Sequence, residues 1–127
     1  MIKYKGKTYF TENELKCRGS GKLILAEGFA GKLLELRLAY NKPMIINSAC
    51  RSTTHNASAG GAPNSYHICD DDRGGCMAVD VRCNNGLDRL ELVKLGIELN
   101  WSIGVNKAFI HMDLRSLLGI PQLLFTY

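Results

Sequence analysis

Two apolar, strand-like runs in this chain each carry an ionisable residue near the middle, and that limits what the chain can fold into. Asp80 interrupts Met77-Ala78-Val79-Asp80-Val81, and His111 interrupts Phe109-Ile110-His111-Met112-Asp113-Leu114. A strand's period of two puts Ala78, Asp80 and Arg82 on one face, with Val79 and Val81 on the other. The same period groups Phe109, His111 and Asp113. An unpaired carboxylate inside an apolar strand is costly to bury, and a metal or cation removes that cost. If the two strands are neighbours, and His67 of Asn64-Ser65-Tyr66-His67 closes over them, two imidazoles and one carboxylate meet. That is a three-ligand set for zinc with a fourth position left for water, the mark of a catalytic rather than a structural site. A plainer reading stands beside it: a His near a strand end is often a hydrogen-bonded structural residue, and Asp80 could cap a turn.

At 127 residues the chain suits one domain, spanning 1–127, and is too short for two. The net charge of +4 is scattered along the chain and is not interleaved with aromatics, which argues against a nucleic-acid binder. The opening Met1-Ile2-Lys3-Tyr4-Lys5-Gly6 has no apolar signal-peptide core, so synthesis in the cytoplasm is expected. No apolar run approaches the ~20 residues of a membrane span, so no membrane insertion is expected. Five cysteines (17, 50, 69, 76 and 83) form no CxxC pair, which makes a zinc ribbon a poor reading. Cys69 and Cys76 bracket an acidic loop. Reduced thiols are the default there, and a bridge is expected only if the protein works outside the cytoplasm.

Thr11-Glu12-Asn13-Glu14 reads as a capped turn entering a helical piece. From Lys22 to Tyr40, Leu25, Phe29, Leu33, Leu36 and Tyr40 recur at three- and four-residue steps, which predicts a helix ended by Asn41-Lys42-Pro43. Met44 to Ser48 reads as a short buried strand. Residues 51–76 show no periodicity, and so long a loop in so small a domain is uncommon unless it carries function. Met77 to Cys83 predicts a strand. A second helix follows from Asn85-Gly86 to about Asn100, with Leu87, Leu90, Val93 and Ile97 as its apolar stripe. A hairpin around Asn106-Lys107 and an apolar tail that docks on the core complete the reading. The class is α+β, a small antiparallel sheet with packed helices.

Several runs together resemble a known family. They are Ser48-Ala49-Cys50-Arg51-Ser52, His55-Asn56, Gly60-Gly61-Ala62, Asn64-Ser65-Tyr66-His67, Ala78-Val79-Asp80 and Phe109-Ile110-His111-Met112-Asp113-Leu114-Arg115. The chain is similar to zinc D-alanyl-D-alanine carboxypeptidases and L-alanyl-D-glutamate endopeptidases, whose fold resembles the hedgehog signalling domain. The opening Phe10 to Cys17 resembles the leader of small phage members. The resemblance implies that His67, Asp80 and His111 hold Zn2+, and that Ser65 and Arg51 contact substrate. An arginine suits that role because its planar donor fork binds a carboxylate or an oxyanion. By themselves, Arg51 reads as a solvated loop residue and Ser65 as a turn residue.

Two departures qualify the match. Twelve residues (68–79) separate His67 from Asp80 where the family usually has six, and Cys76 stands in place of a glycine, so an acidic loop is inserted beside the site. Many relatives also carry Glu or Asp three residues before the last ligand, as the base that activates water; here that residue is Ala108. Asp113 is the nearest substitute as catalytic base, with a supporting role for His111 as its alternative and Asp70 to Asp72 as further candidates. The implied function is a zinc peptidase acting on peptidoglycan peptides, of the phage endolysin type, monomeric and acting on the bacterial wall. The other reading is a wall-binding or virion module that binds zinc without catalysis.

Overall fold

The computed structural model describes residues 1–127. The chain opens with a hairpin of β1 (Ile2–Tyr4) and β2 (Lys7–Phe10). Its turn, Lys5-Gly6, has positive φ at both residues, the conformation that suits the twist of a two-residue hairpin. Thr11 then caps α1 (Glu12–Leu15). Its hydroxyl accepts from the Glu14 amide at 3.2 Å, and the Thr11 amide donates to the Glu14 carboxylate at 3.0 Å, the reciprocal box that the sequence predicts.

The main body follows as α2 (Phe29–Tyr40), β3 (Ile46–Ser48), α3 (Thr53–Ser58), β4 (Ala78–Arg82), α4 (Gly86–Glu98), β5 (Ser102–Val105), β6 (Phe109–Asp113), a 3-10 turn (Arg115–Leu118) and β7 (Leu124–Thr126). The five-stranded sheet runs β3-β4-β6-β5-β7. Its first three pairings are antiparallel, as expected. β7 departs from the expectation by pairing parallel to β5. The α+β class holds, and no helix is long and apolar enough to cross a membrane.

The alternation along each strand divides the sheet into two faces. Val79 and Val81 of β4, Ile103 of β5, and Ile110 and Met112 of β6 enter the apolar core with Leu33 and Leu36 of α2 and Leu92 of α4. Phe29 meets Trp101 edge-on, with ring centroids 5.9 Å apart. The opposite face carries Asp80, His111 and Gly104 in one register row, because Asp80 pairs with His111 and His111 with Gly104. One face is therefore a core, and the other is free to hold chemistry.

Four local expectations change. The first helix begins at Phe29 rather than Lys22: Gly28 takes a left-handed φ of 87°, and Leu25 pairs as extended chain with Cys76. Leu25 fits the helical period only by coincidence. The apolar stripe assigned to α4 is largely on the wrong face, since Leu87, Leu90 and Ile97 are 69%, 58% and 47% exposed. The buried line runs through Leu92 and Gly96. At Gly96 a Cβ would lie 2.5 Å from Met112 Cε and 2.8 Å from Ile103 Cδ1, so the helix approaches the sheet where it has no side chain. Residues 51–76 contain α3, capped by the Ser52 hydroxyl. The tail forms the edge strand β7 and leaves Leu123 and Leu124 exposed instead of docking on the core.

Candidate metal centre

Asp80 and His111 face each other across the central β4–β6 pairing, and the chain around Ile68 brings His67 over them. That segment is fixed by a bridge between Arg51 and Ile68, in which the Arg51 amide donates to His67 O at 2.8 Å and the Cys69 amide to Arg51 O at 2.9 Å. His67 Nε2 lies 3.2 Å from Asp80 Oδ1, and His111 Nδ1 lies 3.0 Å from the same oxygen. One ligand atom from each of the three residues falls within 4.8 Å of the others. All three side chains are largely buried.

The outer nitrogen of each imidazole is engaged elsewhere. His67 Nδ1 is 2.7 Å from Ala49 O, a carbonyl that can only accept, so that nitrogen carries the proton. His111 Nε2 is 2.8 Å from Asp113 Oδ2 and Nδ1 is 3.0 Å from Asp80 Oδ1, so a carboxylate faces each of its nitrogens. With a cation at the centre, Asp113 would keep the His111 proton on Nε2, and His67 Nε2 and His111 Nδ1 would direct lone pairs at it. Outer acceptors that lock the tautomer are the usual support of metal-binding histidines. The donor set fits zinc: two neutral imidazole nitrogens and one carboxylate oxygen, with one side facing open space. Burial pushes the Asp80 carboxyl up, but contacts with His111 and His67 outweigh it and hold the group well below the usual carboxylate range. His111 is opposed by burial, yet Asp113 and Asp80 raise it above the ordinary imidazole value.

Asp113 does not reach the open side. It is fully buried behind His111, and both its oxygens are taken: Arg115 Nε donates to Oδ1 at 2.9 Å, and Arg115 Nη2 to Oδ2 at 2.7 Å. Ala108 is exposed in the β5–β6 turn and does not line the cleft. In the acidic loop Asp70 and Asp71 are committed, and Asp72 is exposed and does not line the cleft. Asp70 caps Thr53 and pairs with Lys22, which holds its carboxyl down at about 2. Asp71 pairs with Arg73, whose guanidinium also donates to Asn64 O and Ser65 O. The insertion therefore braces the segment before His67 from behind.

In front of the three residues is a cleft of about 430 Å³. Arg51 and Ser65, the two residues expected to contact substrate, both line it. Arg51 is held at three points: Nε to Ser48 Oγ at 3.0 Å, Nη1 to Asn56 Oδ1 at 3.3 Å, and Nη2 to Asp80 Oδ2 at 3.5 Å. Asn56 is itself fixed by donating to Ala62 O at 2.9 Å. At Gly61 a Cβ would fall 2.2 Å from Asn56 Oδ1, so that position must stay bare for the brace to form. The Ser65 hydroxyl accepts from the His67 amide at 3.2 Å, which ties it to the ligand's backbone.

Sequence reasoning did not single out the far wall. Arg115 lies over the Tyr66 ring at 4.8 Å and near Phe125 at 5.7 Å, and Phe125 and Tyr127 line the opening. They reach it because Gly104, beside His111, has no side chain: a Cβ there would meet Phe125 Cε2 at 2.5 Å and Tyr127 Cε2 at 3.0 Å. The available signal was the pairing of an apolar tail with a glycine inside a strand.

Comparison with known proteins agrees with this geometry. The sequence model of a family described as Peptidase M15 matches residues 8–113, which spans the capped turn, Arg51 and all three metal-facing residues. No curated protein matches the chain. With most of its length matched, and a His-Asp-His set suited to the metal on which these peptidases depend, the chain belongs to the Peptidase M15 family.

Proposed function

We propose that this protein is a zinc peptidase that cleaves peptidoglycan stem peptides, of the D,D-carboxypeptidase or L-alanyl-D-glutamate endopeptidase type, in the manner of a phage endolysin. The observation that carries the reading is the convergence of His67 Nε2, His111 Nδ1 and Asp80 on one point at the base of an open cleft. Zinc held there would polarise the scissile carbonyl and lower the pKa of a bound water toward neutrality. Arg51, fixed by Ser48 and Asn56, offers its guanidinium to the developing negative charge or to a peptide carboxylate. Asp113, locked by Arg115, holds the proton of His111 on Nε2 and keeps Nδ1 available. It acts as a positioning residue, not as the base. Ser65 secures the turn that presents His67. The protein acts as a monomer at the bacterial wall, which it reaches through a separate membrane pore, with no nucleic-acid partner and no insertion of its own.

One observation favours a second reading. Asp80 is the only carboxylate lining the cleft, so no free carboxylate is at hand to take a proton from water. A zinc-binding wall or virion module without hydrolytic power fits that gap. Incubation with purified wall sacculi separates the two. The peptidase releases defined muropeptides, loses activity with a chelator and regains it with zinc. A fully zinc-loaded protein that releases nothing from any sacculus refutes the peptidase reading.

A further inference from the structure

The insertion between His67 and Asp80 is anchored at both ends. At one end Lys22 Nζ lies 2.9 Å from Asp70 Oδ2, and the Thr53 amide donates to Asp70 Oδ1 at 2.8 Å. At the other, the Cys76 amide donates to Ile24 O at 2.8 Å and the Ala26 amide to Cys76 O at 2.9 Å. Gly75 has a φ of 132°, and a Cβ there would fall 2.6 Å from the Ala26 nitrogen, so the two segments meet where a side chain has no room. Residues 70–76 therefore form a fixed arm, and Arg73 stands at its middle. Every nitrogen of the Arg73 guanidinium is used. Nε donates to Asp71 Oδ2 at 2.9 Å, Nη1 to Asn64 O at 3.0 Å and Nη2 to Ser65 O at 2.7 Å. The same group lies over the Tyr66 ring at 5.1 Å, and Arg115 lies over that ring at 4.8 Å. Arg73 thus grips 64, 65 and 66, the run of residues that leads directly into His67.

We infer that Arg73 is a positioning residue for the metal centre, which fixes His67 through the carbonyls of Asn64 and Ser65 and through the Tyr66 ring. The inference rests on the zinc reading of His67, Asp80 and His111. Arg73 does not line the cleft, so it acts only through these neighbours, all three of which do line it. The task suits an arginine. Its planar fork donates to two adjacent carbonyls while its flat face covers an aromatic ring, and a lysine, as a single point charge, cannot do both. Without that grip the residues before His67 sample more conformers in the apoprotein, and zinc binding must then supply the cost of ordering them. His67 keeps its contact with Ala49 O, at 2.7 Å, so the loss is partial and not complete. The effect falls on zinc affinity, because the core strands that carry Asp80 and His111 do not depend on this arm.

Zinc affinity is measured by competition with a chelator, at a temperature where thermal unfolding shows each apoprotein to be folded. Arg73→Ala should bind zinc ~10-fold more weakly than the wild type, the scale of losing a group that orients a ligand. Arg73→Lys keeps the charge without the fork and should show most of the same loss. Asp72→Ala removes an exposed neighbour on the same arm and should bind zinc as the wild type does. A merely structural role for Arg73 predicts something else: a lower melting temperature of the apoprotein with zinc affinity unchanged. If Arg73→Ala does not fold, Arg73→Lys decides the matter by itself. Wild-type affinity in a folded Arg73→Ala or Arg73→Lys, or an equal loss in Asp72→Ala, overturns the inference while the zinc site stands. A wild-type protein that takes up no zinc fails the reading of the site itself, and the inference falls with it.

Discussion

The floor of the cleft is made by the two central strands, where Asp80 and His111 sit in register and every imidazole nitrogen has an assigned partner. The outer wall is made by the chain after Asp113, where a three-residue edge strand supplies Phe125 and leaves Leu124 and Tyr127 60% and 67% exposed. The family match ends at residue 113, so it takes in the floor and omits the wall. The candidate metal site is thus built into a buried, hydrogen-bonded part of the sheet. Floor and wall are joined at two points, since Arg115 holds Asp113 and the Phe125 ring lies 5.8 Å from that of His111. Substitutions in the floor should act on metal and chemistry together, and truncation of the wall at Phe125 chiefly on substrate affinity.

The largest effect should come from the floor. His67→Ala or His111→Ala should remove most of the zinc and reduce muropeptide release to background, because two remaining ligands rarely hold zinc in this geometry. Elemental analysis checks the first point and a sacculus assay the second. Arg51 stands between floor and wall. Arg51→Ala should leave zinc content and folding unchanged while lowering turnover by ~10²-fold or more, the scale of losing an oxyanion donor. Unchanged turnover at full zinc loading would return Arg51 to the role of a loop residue.

Asp113→Asn sharpens the contrast within the floor. A positioning role predicts zinc affinity weaker by ~10–100-fold, with activity recovered in excess zinc. A role as general base predicts full metal content and a rate lower by roughly 10²- to 10⁴-fold that zinc does not rescue. A competition titration with a zinc chelator, paired with rates at two zinc concentrations, separates them. The smallest effect belongs to the wall: Phe125→Ala should raise KM about 5-fold, the scale of one aromatic contact, with zinc content and kcat held. A loss of zinc in that variant would erase the distinction between wall and floor.

What the sequence made legible follows the same division. β4 and β6 were readable because a strict alternation of apolar and ionisable residues admits one register, and that register brings Asp80 opposite His111. The Thr11 box was readable because its hydrogen bonds are local. The enclosure of Asp113 was not, since period two puts it on the same face as His111 but cannot show that Arg115 takes both its oxygens. α4 was assigned the wrong face because its closest contact with the sheet is made at Gly96, where hydrophobic periodicity sees nothing. The wall was missed for a related reason: it depends on Gly104 leaving room for Phe125, a complementarity between distant residues. Asn56 lay in view as part of a motif, yet its brace on Arg51 appears only when α3 is folded.

The central claim is that His67, Asp80 and His111 hold one zinc, and X-ray absorption at the zinc edge of the loaded protein tests it most directly. The account predicts one zinc per chain with only nitrogen and oxygen neighbours at ~2.0–2.2 Å, and no sulfur. A sulfur shell at ~2.3 Å would move the metal to the buried cysteines and contradict the assignment.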